Sequence, residues 1–371
     1  MGTATAGEAA RPLPIGRSLT RTALVLGGGS LLLLILLVTA VALGSSQIGL
    51  SDTGAILARR LLGLPLAETW APSAETIILQ IRLPRVLAAM IVGGGLAMAG
   101  TVFQALLRNP LADPYVIGTA AGASFGAALG IAAPLALPML AIGAGSAFLG
   151  LGVVQVLAFA GGLVTVLLVY ALARGGGRVQ MVTLLLVGYG VSAVLAAGVA
   201  LLMFISGRAL GAIFSWLMGS LADAEWTDLA FAAPLMLFSF AALLTRWRAL
   251  NLLLLGDGQA ASLGLDVERE KLRLTVLATL ATSAAVAISG TIGFVGLVVP
   301  HLLRLVIGPD HRLLLPASML GGAALLVLAD LVARMVPGGG IPVGVVTALI
   351  GAPFFIWLLR RSRLLRAEAA A

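Results

Sequence analysis

A helix that crosses a bilayer needs ~20 consecutive apolar residues, and this chain of 371 residues offers about ten such runs between Ala23 and Leu359. Nothing else in the sequence restricts its fold as strongly. In lipid every backbone N–H and C=O must be paired inside the protein, and a run of this length pairs them as a helix. The composition agrees: 60% of residues are hydrophobic and 10% charged, where a soluble domain carries roughly 25% charged residues. The mean hydropathy is +1.11. An integral membrane protein is the class. The 47 glycines suit close helix packing in lipid. With no cysteine there is neither a disulfide nor a thiolate metal site. The net charge of +8 does not point to nucleic acid. No basic run is interleaved with aromatics, and the arginines lie between apolar runs, where the positive-inside rule accounts for them.

The stretch Arg82–Gly122 sets the pattern. It opens on Arg82-Leu83-Pro84-Arg85 and runs apolar and glycine-rich to Leu107. It breaks at Arg108-Asn109-Pro110-Leu111-Ala112-Asp113-Pro114 and resumes at Tyr115. Two prolines flanking an aspartate cannot sit within a helix, since each lacks an N–H and disfavours helix in the residue before it. This is a span, a tight turn and a second span.

Residues 1–22 read as a cytoplasmic tail, 23–360 as one transmembrane domain of ten spans, and 361–371 as a second cytoplasmic tail. The spans are expected near 23–43, 83–107, 115–131, 149–173, 182–204, 230–244, 274–288, 296–307, 314–332 and 343–359. A signal peptide is the competing reading of the first, because Ala40-Val41-Ala42 resembles a cleavage site. Its run exceeds the roughly 7–15 residues of a signal's apolar core. Residues 45–81 read as a long polar-to-mixed loop, and a partial or re-entrant segment precedes span four after Leu135. Ala212–Leu221, with Trp216, is amphipathic, and an acidic patch of Asp223, Glu225 and Asp228 follows it. Arg246–Arg273 is the largest polar loop of the second half, with a short helix expected at Ala260–Leu263, ended by Gly264.

Ten crossings that start inside place 17 of the 23 Lys and Arg residues on the inner side and 6 on the outer. The outer six are Arg59, Arg60, Arg82, Arg85, Arg208 and Arg334. Lys/Arg bias sets orientation, so ten spans with both ends inside is self-consistent.

No energy source is visible within the chain. The single lysine, Lys271, is not preceded by glycine, so a phosphate-cradling G-x-x-x-x-G-K-[ST] loop is impossible. No Asp, Glu or Lys lies at the centre of an expected span; the nearest acid is Asp330. Ion-coupled carriers use such intramembrane carboxylates. The pattern is that of a pore subunit worked by another protein. The short helix bracketed by Gly256, Gly258 and Gly264 could fit a groove in a soluble partner, or be an ordinary solvated loop. Arg82 and Arg85, three apart, share a helix face. They and Arg334 could snorkel or pair with Glu68, Glu75 or Asp330, or present a docking surface to an acidic partner. His301 and His311 are too far apart in sequence to suggest a metal site and read as packing or capping residues.

Several motifs in order resemble the signature of the iron-siderophore, haem and cobalamin ABC importer permeases. They are Arg82-Leu83-Pro84-Arg85; Gln104 to Pro114 with Gly118; Trp216 to Leu221; Leu255-Gly256 through Leu263-Gly264; Gly293 to His301; Ile341 to Ala348; and Gly351 to Phe355. The resemblance runs from Arg82 almost to the C-terminus. It implies an all-α integral membrane protein of about ten transmembrane helices, a type II ABC importer permease bundle. It implies a homodimer in the bacterial cytoplasmic membrane, with the path at the dimer interface. Two cytoplasmic ATPase subunits and an extracytoplasmic substrate-binding protein would complete the importer. The chain would be no enzyme and would hold no cofactor. By resemblance, the segment holding Gly256, Asp257, Gly258, Ala261, Leu263 and Gly264 is the ATPase coupling loop. Arg82, Arg85 and Arg334 match positions that receive acidic residues of the binding protein. Arg108, Asn109, Pro110, Asp113 and Pro114 form the cytoplasmic signature turn. One departure is Gly338-Gly339-Gly340, where the family usually has an acidic residue before its Leu/Ile-Pro-Val-Gly motif. A stand-alone secondary carrier or channel is the rival reading.

Overall fold

The computed structural model describes residues 15–44, 48–136, 152–336 and 340–368. The expected re-entrant segment after Leu135 lies mostly outside the described residues, as do Gly338, Gly339, most of the first tail and the last three residues.

The described chain is helical apart from one two-stranded ribbon. In order it comprises α1 (Ile15–Ala42), α2 (Leu50–Leu62) and a long helix α3 (Pro72–Leu106). Next come α4 (Thr119–Ala136), α5 (Val153–Leu172) and the ribbon β1 (Arg174–Gly175) and β2 (Arg178–Val179). Then follow α6 (Met181–Ile205), α7 (Leu210–Leu217), α8 (Trp226–Thr245) and α9 (Trp247–Leu254). The chain ends with α10 (Asp257–Ser262), α11 (Val267–Ser289), α12 (Val295–Ile307), α13 (His311–Met335) and α14 (Val343–Glu368). Among the described residues, seven helices are long and apolar enough to cross a membrane, and three shorter apolar helices lie at the expected positions of spans three, eight and ten. The order of ten apolar helices is the expected one.

Several boundaries differ from expectation: α1 starts at Ile15, inside the expected first tail, and α14 runs to Glu368, through most of the expected second tail. Span two starts eleven positions earlier, at Pro72 rather than Leu83. Pro84 reads in sequence as a helix start, because proline suits the first turn. Here it lies inside a continuous helix, directly after a π-helical turn at Ile77–Arg82. Proline in a helix removes one hydrogen bond and crowds the carbonyl four residues back; a π-turn widens the helix at that point. Span seven starts at Val267 rather than Leu274. The charged run there is helical because Asp266 caps it, accepting from the Arg269 N–H at 3.3 Å. Glu268 and Glu270 then sit in the first turn, where the helix dipole favours acids.

The core forms around α3. From Leu83 to Leu106 nearly every side chain is buried, and α13, α11, α12 and α8 pack around it. Glycine lets the backbones meet. A Cβ on Gly93 would strike the Gly322 carbonyl of α13, and one on Gly100 the Gly296 carbonyl of α12. A second pair, α4 against α5, closes on Gly122, Gly126 and Gly161 in the same way. Small residues at a crossing are the means by which helices associate in lipid, where burial alone supplies little drive. By contrast α6 buries only Leu184, Gly188 and Val199. It presents Val182, Leu186, Val194, Leu201 and Phe204 outward. Apolar faces of this extent mark contact with lipid or another protein.

Contacts gather most of the connections at two ends: Trp226 donates to the Leu79 carbonyl at one, and Arg108 meets Gly256 and Asn251 meets Asp310 at the other. One end, called the clamp end here, carries Leu43–Arg82 and Ser206–Glu225. The other, the turn end, carries Leu107–Gly118, the ribbon, Arg246–Asp266 and Gly308–Asp310. The acidic patch at the clamp end is largely a helix cap: the Glu225 N–H donates to Asp228 at 3.0 Å and closes a capping box on α8.

Candidate functional site

At the clamp end the three arginines named from sequence come together. Their partners are all inside the protein. The Arg82 guanidinium donates to the carbonyls of Val41 at 3.0 Å and Ala42 at 2.6 Å, satisfying the last turn of α1. Arg334 donates to the Ala40 carbonyl at 3.1 Å. Arg85 and Arg334 share one carboxylate, Asp330, at 2.8 and 3.0 Å. Asp330 is fully buried, while the side chains of Arg85 and Arg334 are 17% and 10% exposed. The pairing expected with Asp330 is present; Glu68 and Glu75 pair instead with Arg59 and Arg60. Residues 40–42, which resemble a cleavage site, are buried and supply these carbonyls. Three guanidinium groups around one carboxylate leave the cluster with a net positive charge.

At the turn end, the signature turn now has a physical basis. Arg108 has a positive φ of 48°, which reverses the chain. Asn109 then accepts from the Leu111 N–H at 3.0 Å, and Asp113 from the Tyr115 N–H at 2.9 Å. These are two successive side-chain turns of the kind Asn and Asp make best. Burial pushes the Asp113 carboxyl up to about 6, against the opposing effect of the Tyr115 N–H. Pro114 packs on Gly296, whose Cβ would lie 2.6 Å from the proline ring. Gln104 donates to the Leu297 carbonyl at 3.2 Å and the Tyr115 hydroxyl to that of Ile292 at 3.0 Å. The turn thereby holds the break between α11 and α12. Pro110 stays exposed, its carbonyl toward His301. His311 donates its backbone N–H to Asn251 at 3.0 Å.

The segment Gly256–Gly264 lies beside this turn. The guanidinium of Arg108 sits over Gly256, 3.1 Å from where a Cβ would be. Gly256 has φ of 103° and Gly264 of 88°, backbone that favours glycine. Between them the helix spans Asp257–Ser262 rather than Ala260–Leu263. Only Ala260 of α10 is buried. Gly258, Ala261, Leu263 and Gly264 face outward, and Leu263 is 61% exposed. A bare leucine on a projecting helix is what a groove in a soluble partner would accept.

Sequence reasoning missed the group that anchors this segment. Lys271 is 2% exposed, and its Nζ lies 2.6 Å from Asp257, 3.4 Å from Glu268 and 3.4 Å from the Val179 carbonyl. Beside it Arg246 and Arg273 both pair with buried Glu270, at 3.2 and 2.6 Å. The only signal in the sequence was that the sole lysine falls within the charged run.

Comparison with known proteins accords with this arrangement. The chain matches the FecCD transport family over residues 32–361. It is 45% identical over 300 residues to the cobalamin import system permease protein of Halobacterium salinarum, covering 80% of this chain and 76% of that one. It is 43% identical over 336 residues to the hemin transport system permease protein of Yersinia pestis, covering 89% and 95%. The Fe(3+) dicitrate transport system permease protein FecD of Escherichia coli is 41% identical over 288 residues, covering 77% and 86%. The fold is similar to an ABC transporter assigned to the metal-chelate type, solved in an inward-facing conformation. The TM-score is 0.76 at 34% identity, covering 91% of this chain and 99% of that one. Ten apolar helices in the expected order, a tight Asn/Asp turn and a glycine-bracketed helix at one end thus sit in a scaffold shared with these permeases: the chain belongs to the FecCD transport family.

Proposed function

We propose that this chain is the transmembrane subunit of an ATP-binding cassette importer in a bacterial cytoplasmic membrane, with both termini inside. It works as a homodimer and moves an iron(III)-siderophore, haem or cobalamin inward by alternating access. ATP is hydrolysed by two separate ATPase subunits, and a binding protein outside delivers the substrate. The observation that carries the reading is α10: a short helix with its apolar tip bare, tied at its base and adjoining the signature turn. An external motor can push on such a helix. The named cargoes of the relatives support the substrate class. The thinly packed α6, with small and apolar residues outward, supports a dimer whose path is lined by such residues. In this orientation the clamp end faces outward, and the net positive cluster of Arg82, Arg85, Arg334 and Asp330 would attract an acidic binding protein over distance.

Reconstitution tests the reading. Proteoliposomes holding the permease, its ATPase and its binding protein should accumulate chelate only with ATP inside the ATPase compartment. Uptake by the permease alone would favour the stand-alone carrier or channel.

A further inference from the structure

We infer that Lys271 is the positioning residue that carries movement of α10 to the base of α6. The inference rests on the reading of α10 as the segment an ATPase moves. An ammonium has three N–H donors, and here three different elements supply its acceptors. Asp257 is the first residue of α10, Glu268 lies one turn earlier on α11, and Val179 ends the ribbon. Glu268 doubles the last link, because its second carboxylate oxygen accepts from the Val179 N–H at 2.9 Å. Its own backbone carbonyl accepts from Tyr170 on α5 at 3.5 Å.

The ribbon transmits what it receives. Its turn is two glycines of positive φ, Gly176 and Gly177, a tight hairpin matched to the twist of the strands. Val179 is buried, and α6 begins two residues later at Met181. Further along, α6 meets Ile117 at Gly188 and the Phe125 ring of α4 at Gly198, and at its base the ribbon holds it. At the other end α10 buries Ala260 alone, so the 2.6 Å bond to Asp257 is its firmest tie to the bundle. A compact ammonium with freely rotating donors can keep all three acceptors through a small displacement, which a planar guanidinium cannot do.

The test uses the complete importer in proteoliposomes, with uptake and ATP hydrolysis measured in parallel. Lys271→Met should lower uptake per ATP by about 5- to 150-fold, the usual range of coupling between sites. Lys271→Arg should recover part of it. Glu268→Gln, which leaves the ammonium in place, should give a smaller fall in the same ratio. A spin-label pair at Ser262 and Arg178 supplies a readout that folding alone would not move. On addition of nucleotide the two labels should shift together in the wild type and separate in Lys271→Met. A wild-type ratio in Lys271→Met, or labels that already move apart in the wild type, would overturn the inference. A cross-link from Leu263 to the ATPase is scored separately. Its absence in the wild type would remove the importer reading of α10 and not the Lys271 link as such.

Discussion

Replacing Arg82 with alanine should destabilise the protein far more than replacing any other arginine at the clamp end that is exposed. Arg82 is 5% exposed and its guanidinium donates to two carbonyls at the end of α1, at 3.0 and 2.6 Å. Hydrogen bonds from a charged donor contribute ~1.5–3 kcal/mol each. Removing the donor also leaves buried carbonyls unpaired, so the loss should reach ~3–5 kcal/mol. Arg59 gives the contrast: its ion pair with Glu68 at 2.8 Å is a third to a half exposed, and Arg59→Ala should cost below ~1 kcal/mol. Geometry supplies an independent variant. A Cβ on Gly44 would lie 2.6 Å from the Arg82 guanidinium, the far end of a flexible side chain, so Gly44→Ala should shift the guanidinium and cost less than Arg82→Ala. The assay is detergent-driven unfolding of the purified protein in mixed micelles, followed by tryptophan emission; Trp70 is buried at this end. Arg82→Ala within ~1 kcal/mol of wild type, or a Gly44→Ala more costly than Arg82→Ala, would refute the reasoning. It follows that charge reversal at Arg82 tests folding, not docking.

Arg85→Gln is the cleaner docking variant, since an amide can still donate to Asp330; it should weaken capture of the binding protein, most at low salt, while unfolding stays near wild type. Leu263→Asp should uncouple ATP hydrolysis from uptake, because it places a charge on the bare tip of α10; normal stoichiometry would remove that tip from the mechanism. Asp113 gives a pH dependence. Its folded pKa of about 6 lies above the ordinary carboxylate value, so the folded state binds the proton more tightly. Stability should therefore rise as pH falls from 7 through 6 toward 4, by ~1–3 kcal/mol, and Asp113→Asn should flatten the unfolding profile over that window. Gly100→Leu should force α3 from α12 and cost more than the ~1–3 kcal/mol of ordinary overpacking, read by the same unfolding assay.

How far the sequence could be read follows from the range of each interaction. The ten apolar helices were legible because lipid demands length and hydropathy of each span separately. The starts at Pro72 and Val267 were hidden, because a proline and a charged run each read as boundaries when their local compensation is unseen. Turn residues Asn109 and Asp113 were legible as a turn, since each bonds a backbone group two residues on. The clamp was half legible. Arg85 meets Asp330 across 245 residues, and from sequence Asp330 was one of three carboxylates open to it. Lys271 was not legible at all as a hub, for two of its three acceptors lie 14 and 92 residues away.

The glycine crossings of α3 have a mechanical consequence. Where a Cβ would overlap a facing carbonyl, at Gly93 with Gly322 and at Gly100 with Gly296, two backbones are seated with no side chain to act as a bearing. Packed surfaces of this kind hold or part, and do not deform by degrees. Helices α3, α12 and α13 should then behave as one stator. Large rotations fall to the elements outside those crossings, and α6, which buries three residues and leans on α4 at Gly198, should move with α4 rather than with the stator.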